Sequence, residues 1–236
     1  MKIAIVSDIH GNLEALMALP EEYDELWVLG DLVNYGPNPA EVIDIVRRKA
    51  SLVVRGNHDH SIGTGEDPRC SAEFEEMADA TRGYTDSVLS PEQKRYLGGL
   101  PMTLQRTVDD CRFLLCHAVP SDPLFTYCRP NSPRWAKEVS DMPADILLVG
   151  HTHLPFVMNI GARQVVNPGS LGQPKHGVPH ACYAIWEDGR VELRSFAYPV
   201  QETVRKVHGL PIPADIRRKL ANVLLSGGSP SDERQP

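Results

Sequence analysis

Four compact apolar runs, residues 3–6, 26–29, 52–54 and 146–149, each end at a short stretch of metal-ligating residue types. The stretches are Ser7-Asp8-Ile9-His10, Gly30-Asp31, Gly56-Asn57-His58-Asp59 and Gly150-His151-Thr152-His153. Runs this short, bounded by Gly or polar residues, read as buried strands. Parallel strands of one sheet finish on the same edge, where crossover connections leave a crevice, so ligands far apart in sequence can converge there. This pattern restricts the chain to an α/β fold with a site at a strand edge, and it points to metal-dependent hydrolysis.

Composition sets the frame for that reading. With 236 residues, 42% hydrophobic and 23% charged, the chain can bury a substantial core, and one large domain over residues 1–225 is expected. No run approaches the roughly 18 apolar residues a membrane helix needs. The first strand runs straight into Asp8 without a signal-type cleavage region, so a cytoplasmic protein with no membrane partner is expected. Cys70, Cys111, Cys116, Cys128 and Cys182 are odd in number and lack Cys-x-x-Cys spacing, which argues against a disulfide framework and a thiolate zinc site and for buried reduced thiols. The net charge of -7 and the lack of a Lys/Arg block disfavour extended nucleic-acid binding. A small anionic substrate remains compatible, because divalent ions bound by clustered carboxylates reverse the local potential.

Strand and helix alternate early. Asn12 is placed to cap a helix with Leu13, Leu16 and Met17 on one face, residues 39–49 carry Val42, Ile43, Ile45 and Val46 as a second helix, and the first 59 residues read as β-α-β-α-β. Residues 71–88 are helical in composition, and Ser90-Pro91-Glu92-Gln93 has the form of a capped helix start, with the helix ending at Gly98-Gly99. In the second half, 112–116 and 145–149 read as central strands. Segments 156–160, 164–166, 182–187 and 191–196 read as antiparallel ribbons, the last pair joined at Asp188-Gly189. The expectation is a four-layer α-β-β-α sandwich, two facing mixed sheets flanked by helices, with Trp27 and Trp186 in its core. Residues 211–225 fit a C-terminal helix and 226–236 a disordered tail; no internal repeat is visible.

Asp8 and His10 stand two apart, which on an extended segment turns both side chains to one side and offers an ion a carboxylate oxygen and an imidazole nitrogen. His151 and His153 repeat the spacing, Asn57 offers an amide oxygen, and Asp31 has two oxygens, enough to bridge two ions. Gly11, Gly30, Gly56 and Gly150 read as permitting sharp turns or close backbone approach.

On these motifs the chain resembles the calcineurin-like metallophosphoesterase superfamily, close to its small bacterial and archaeal phosphodiesterase branch, over residues 1–200. That family's signature of Asp-x-His, Gly-Asp, Gly-Asn-His-Asp or Glu, a lone His after a strand, and Gly-His-x-His stands here as Asp8/His10, Gly30/Asp31, Gly56-Asn57-His58-Asp59, His117 and Gly150-His151-Thr152-His153. Val166-Asn167-Pro168-Gly169-Ser170 also resembles a segment common in the branch. The resemblance implies that Asp8, His10, Asp31 and His153 hold one ion, and Asp31, Asn57, His117 and His151 the other. It further implies hydrolysis of small phosphodiesters by in-line attack of a metal-bridging hydroxide, with His58 as general acid at the leaving-group oxygen. A mixed oxygen and nitrogen donor set suits two divalent ions drawn from Mn, Fe, Zn, Co or Ni.

Several residues carry two readings. His117 alone would be an ordinary core or surface histidine, and only the accompanying motifs make it a ligand. Asp59 reads as a turn stabiliser that orients a ligand. Arg129 and Arg134 read either as bidentate phosphate partners or as surface ion pairs, and Arg55 is open in the same way. His176 and His180 read as solvated loop residues in preference to substrate contacts, and Leu124-Phe125-Thr126-Tyr127 as a substrate wall, a contact patch or packing. The protein Ser/Thr phosphatases and diadenosine tetraphosphate hydrolases carry Gly-Asp-x-Val-x-Arg-Gly, whereas this chain has Gly30-Asp31-Leu32-Val33-Asn34-Tyr35-Gly36. Tyr35 in place of that Arg offers one neutral donor and weighs against phosphoprotein phosphatase activity. Asn34 stands where the phosphatases have an Asp that orients the catalytic His, and would support an imidazolium less strongly. Ala118 follows His117 where relatives often have Gly. Asn34 and Arg129 are the candidate substrate contacts. The alternatives are a phosphomonoesterase or nucleotide phosphatase on the same site, or a non-catalytic metal-binding interaction scaffold.

Overall fold

The computed structural model describes residues 1–20 and 22–228. In chain order these form β1 (Ile3–Val6), α1 (Leu13–Met17), β2 (Glu25–Val28), α2 (Pro39–Lys49), β3 (Leu52–Val53), α3 (Asn57–Thr64), α4 (Ala72–Val88), α5 (Pro91–Gly99) and β4 (Thr103–Val108). There follow β5 (Cys111–Cys116), α6 (Arg134–Ser140), β6 (Ile146–Leu148), β7 (Phe156–Ile160), β8 (Arg163–Asn167), β9 (Ala181–Glu187), β10 (Arg190–Phe196), α7 (Val200–His208) and α8 (Ala214–Ser226).

The strands divide into two five-stranded sheets, ordered β10-β9-β1-β2-β3 and β4-β5-β6-β8-β7. β1, β2 and β3 run parallel, as do β5, β6 and β8, while the remaining pairs are antiparallel. Alternation along each strand explains the layers. In β1, Ile3 and Ile5 enter a core shared with Phe113 and Leu115 of β5 and with Ile146 and Leu148 of β6, whereas Ala4 and Val6 pack with α1 and α2. Across the interface Trp27 and Trp186 both meet Phe113 edge to face, with ring centroids 5.1 and 5.0 Å apart. On the far side of the second sheet, Leu114, Cys116 and Leu147 pack under Trp135 and Val139 of α6. The result is the four-layer α-β-β-α sandwich, with a further helical cluster in which α4, α7 and α8 close over Tyr35.

Local signals explain most boundaries. Asn12 Oδ1 accepts from Ala15 N at 3.1 Å, and Ser90 and Gln93 form a reciprocal capping box at 3.2 and 3.0 Å. Four elements were not anticipated. β4 is an edge strand whose largely exposed residues give no apolar alternation, and α6 is only 7 residues long. α3 is built from weak helix formers and starts because Asp59 caps it, and α7 buries Val204 and Val207 on a spacing that the sequence does carry. α8 continues through Ser226, and residues 229–236 of the expected tail lie outside the described residues. Among the described residues no helix is long and apolar enough to cross a membrane, and all five cysteines are free, with Cys70 and Cys111 only half-buried.

Candidate metal centre

Asp8 and His10 follow β1, Asp31 follows β2, Asn57 and His58 open α3, His117 follows β5, and His151 and His153 follow β6. Both sheets therefore deliver side chains to one edge. Asp8, His10 and His153 form one group able to hold a metal ion, and Asp31, His117 and His151 a second; all are buried. Asp31 Oδ2 lies between them, 3.2 Å from His117 Nε2 and 3.8 Å from His10 Nε2. Asp8 Oδ1 lies 3.2 Å from His153 Nε2 and 4.0 Å from His117 Nε2.

The turns that carry these residues are not extended. Asp8 (φ 54°), His10 (47°), Asp31 (57°), His151 (65°) and His153 (59°) all adopt left-handed backbone. The expected geometry, two residues alternating on an extended segment, is thus corrected: the pairs converge through strained turns. Such a conformation costs a non-glycine residue about 1–3 kcal/mol and persists only where the surroundings enforce it. Here the enforcement is backbone pairing between turns, as in Asp8 N to Gly30 O at 3.0 Å and His10 N to Asp31 O at 2.9 Å.

Hydrogen bonds on the outer ring nitrogens fix what faces inward. His10 Nδ1 donates to Val33 O (2.9 Å), His117 Nδ1 to Leu29 O (2.7 Å) and His153 Nδ1 to Gln173 O (2.5 Å). In the neutral form of each ring Nε2 is then a lone pair, and those of His10 and His153 face each other at 3.2 Å. His151 Nε2 donates to Phe125 O at 3.2 Å, leaving Nδ1 unprotonated. Asn57 Nδ2 donates to Pro68 O at 2.8 Å, which turns Oδ1 to His117 Nε2 at 3.1 Å. Asp8 Oδ1 is buried with no hydrogen-bond partner. Facing lone pairs repel unless a cation lies between them, so the donor set fits divalent metal ions.

Electrostatics agree with this reading. Burial raises both carboxyls, yet His153 and His117 beside Asp8, and His117 and His58 beside Asp31, hold them below the ordinary range. Burial also keeps His10, His151 (about 3) and His153 neutral. His117 is the exception: burial opposes its charge, but Asp31 and Asp8 push it up to about 9, so the carboxylates attract a cation even as a proton.

His58 sits on the first turn of α3, its N–H donating to Asp31 Oδ1 at 2.9 Å. Asn34 Nδ2 donates to its Nδ1 at 2.8 Å, and Nε2 lies 3.4 Å from Cys70 Sγ. The amide nitrogen faces the imidazole, and Asn34 Oδ1 is buried without a partner. Burial lowers His58 to about 4. Asp59 orders the neighbouring turn by accepting from Asp31 N (2.8 Å), Leu32 N (2.8 Å) and Gly56 N (3.0 Å). Tyr35 packs edge-on against His10 and His58 and donates to Cys70 Sγ at 3.5 Å.

The other candidates make different contacts. Arg129 is exposed, and its carbonyl accepts from Trp135 Nε1 at 2.9 Å. Arg134 pairs with Glu138 at 2.7 Å, and Arg55 donates to Leu100 O at 2.8 and 2.6 Å. His176 lies 3.7 Å from Cys182 Sγ, and the His180 carbonyl also contacts that sulfur. The segment containing Phe125 and Tyr127 does border the site: the Tyr127 ring stacks on His151 with centroids 3.8 Å apart. Cys70 and Lys175 also border it, and neither stands in a motif that sequence reasoning could use.

The model of the calcineurin-like phosphoesterase superfamily domain matches residues 1–188. An uncharacterised protein of Methanocaldococcus jannaschii is 29% identical over 228 residues, 87% of this chain and 91% of that protein. The phosphodiesterase YfcE of Escherichia coli is 28% identical over 194 residues, 76% of this chain and 84% of that protein. Among solved structures, a metallophosphoesterase from Sphaerobacter thermophilus superposes with a TM-score of 0.82 at 29% identity, covering 96% of this chain and 99% of that one.

Proposed function

The chain belongs to the calcineurin-like phosphoesterase superfamily, and on that premise we propose that it is a dinuclear metal-dependent phosphodiesterase acting on small phosphate esters. The observation that carries this reading is the pair of buried ligand groups at one edge, with Asp31 between them. In the proposed assignment Asp8, His10, Asp31 and His153 hold one ion, and Asp31, Asn57, His117 and His151 the other. When bound, such ions lower the pKa of a water and neutralise phosphoryl oxygens.

His58 is the residue for proton delivery to the leaving-group oxygen. At neutral pH its ring is uncharged, with Nδ1 accepting from Asn34 and the proton at Nε2. An anionic substrate beside it favours the imidazolium. Rotation of the Asn34 amide then brings its oxygen to Nδ1–H, so one side chain serves both protonation states. A diester is favoured over a monoester by the likeness to a named phosphodiesterase and by Tyr35, which offers no charge to a dianion.

The test is hydrolysis of bis-p-nitrophenyl phosphate and p-nitrophenyl phosphate by metal-stripped protein resupplied with Mn²⁺, Zn²⁺, Fe²⁺, Co²⁺ or Ni²⁺. The expected result is metal-dependent turnover favouring the diester, lost in Asp31→Asn and reduced about 10²-fold or more in His58→Ala. Absence of turnover with every metal, in protein that binds two ions, would overturn the assignment.

A further inference from the structure

The turn after β2 supplies no cation for a substrate phosphate, since Tyr35 is neutral and its hydroxyl contacts Cys70. A cation reaches the same region from another part of the chain. Residues 170–173 are strapped onto the turn that carries Asp8: Ser170 Oγ donates to Asp8 O at 2.8 Å, Leu171 N to Ser7 O at 2.9 Å and Gly172 N to Asp8 O at 3.0 Å. A Cβ on Gly172 would lie 1.8 Å from Ile9 O, so the two segments touch backbone to backbone. Gln173 O accepts from His153 Nδ1, and Lys175 follows two residues later.

Lys175 is half-buried, and its ammonium lies 3.6 Å from the centroid of the buried Phe74 ring. Among the described residues no carboxylate is within ion-pair distance of it. Its charge nevertheless reaches Asp8 and Asp31, and it disfavours protonation of His58 and His153. Burial lowers Lys175 to about 8, and those two carboxylates, with Glu73, oppose the loss of its charge. An ammonium drawn partly out of water without a contacting counter-ion is costly, and a ring face compensates only in part. Divalent ions on the neighbouring carboxylates would make its position still more positive, and an anion lying between ammonium and ions would relieve it.

We propose that Lys175 is the phosphate-binding cation of this site, meeting a non-bridging phosphoryl oxygen from the loop after β8. The proposal rests on the phosphoesterase reading above. It assigns substrate recognition to a point charge, which matches the single negative charge of a phosphodiester without requiring a bidentate guanidinium.

The test is calorimetric titration of inorganic phosphate into Mn²⁺-loaded wild type, Lys175→Met, Lys175→Gln and Lys175→Arg, with metal content and bis-p-nitrophenyl phosphate kinetics read on the same samples. Met preserves packing on Phe74. The expected result is phosphate binding weakened about tenfold or more in Lys175→Met and Lys175→Gln, KM raised more than kcat is lowered, metal content unchanged, and recovery to within a few-fold in Lys175→Arg. Wild-type affinity in Lys175→Met, loss of metal in both neutral variants, or no phosphate binding by two-ion wild type would each overturn the proposal. Phosphate binding that depends on Lys175 in a protein without turnover would support Lys175 and overturn the hydrolase reading instead.

Discussion

At the scale of the residue, Asn34 stands where the family resemblance implies an Asp in the protein Ser/Thr phosphatases. It is held in left-handed backbone (φ 66°) with its side chain against His58 Nδ1, where it is placed to position that ring. Asn34→Asp would place a carboxylate at hydrogen-bond distance from Nδ1 and stabilise the imidazolium. The His58 pKa is therefore expected to rise from about 4, by roughly 1–3 units, in an NMR titration of the metal-free protein. An unchanged titration would mean that Asn34 does not act on the ring. The candidate ligands that the fold brings together were legible because Asp, Asn and His stood at strand ends in several separate motifs. Their backbone was not: nothing in Asp8-Ile9-His10 announces left-handed geometry, which neighbouring turns impose.

At the scale of the element, the turns interlock so closely that glycine is required between them. Gly56, the residue before α3, would place a Cβ 2.0 Å from Asp31 Oδ1 and 2.3 Å from Asp31 N. Gly56→Ala must displace the residue that lies between both ligand groups. Expected are loss of bound metal and a destabilisation of about 1–3 kcal/mol, read by metal analysis and urea unfolding; retention of both would show that the turn adapts freely. The same region shows why α3 escaped sequence reasoning. Its residues favour turns, and the helix depends on Asp59, whose carboxylate also orders Asp31 and Leu32 across the site. The β-α-β-α-β start and the Asp188-Gly189 hairpin were legible because each depends on local periodicity or turn chemistry.

At the scale of the whole molecule, each ligand group draws on both sheets: Asp8 and His10 against His153, and Asp31 against His117 and His151. Bound ions would therefore clamp the sandwich at one edge. Metal at 100 times its Kd contributes about 2.7 kcal/mol per site through linkage, so two filled sites give roughly 10–20 °C of Tm for a chain of this size. Thermal unfolding of chelator-treated and Mn²⁺-resupplied protein should differ by that amount, and coincident transitions would refute the clamp. Lys175 became visible only at this scale, since the fold and not the spacing returns its loop to the turn after β1. The most direct measurement is metal stoichiometry by elemental analysis of Mn²⁺-saturated, dialysed protein, beside Asp31→Asn. Two ions per chain, falling to one or none in Asp31→Asn, is the expected result; one ion or fewer in wild type would contradict a dinuclear centre.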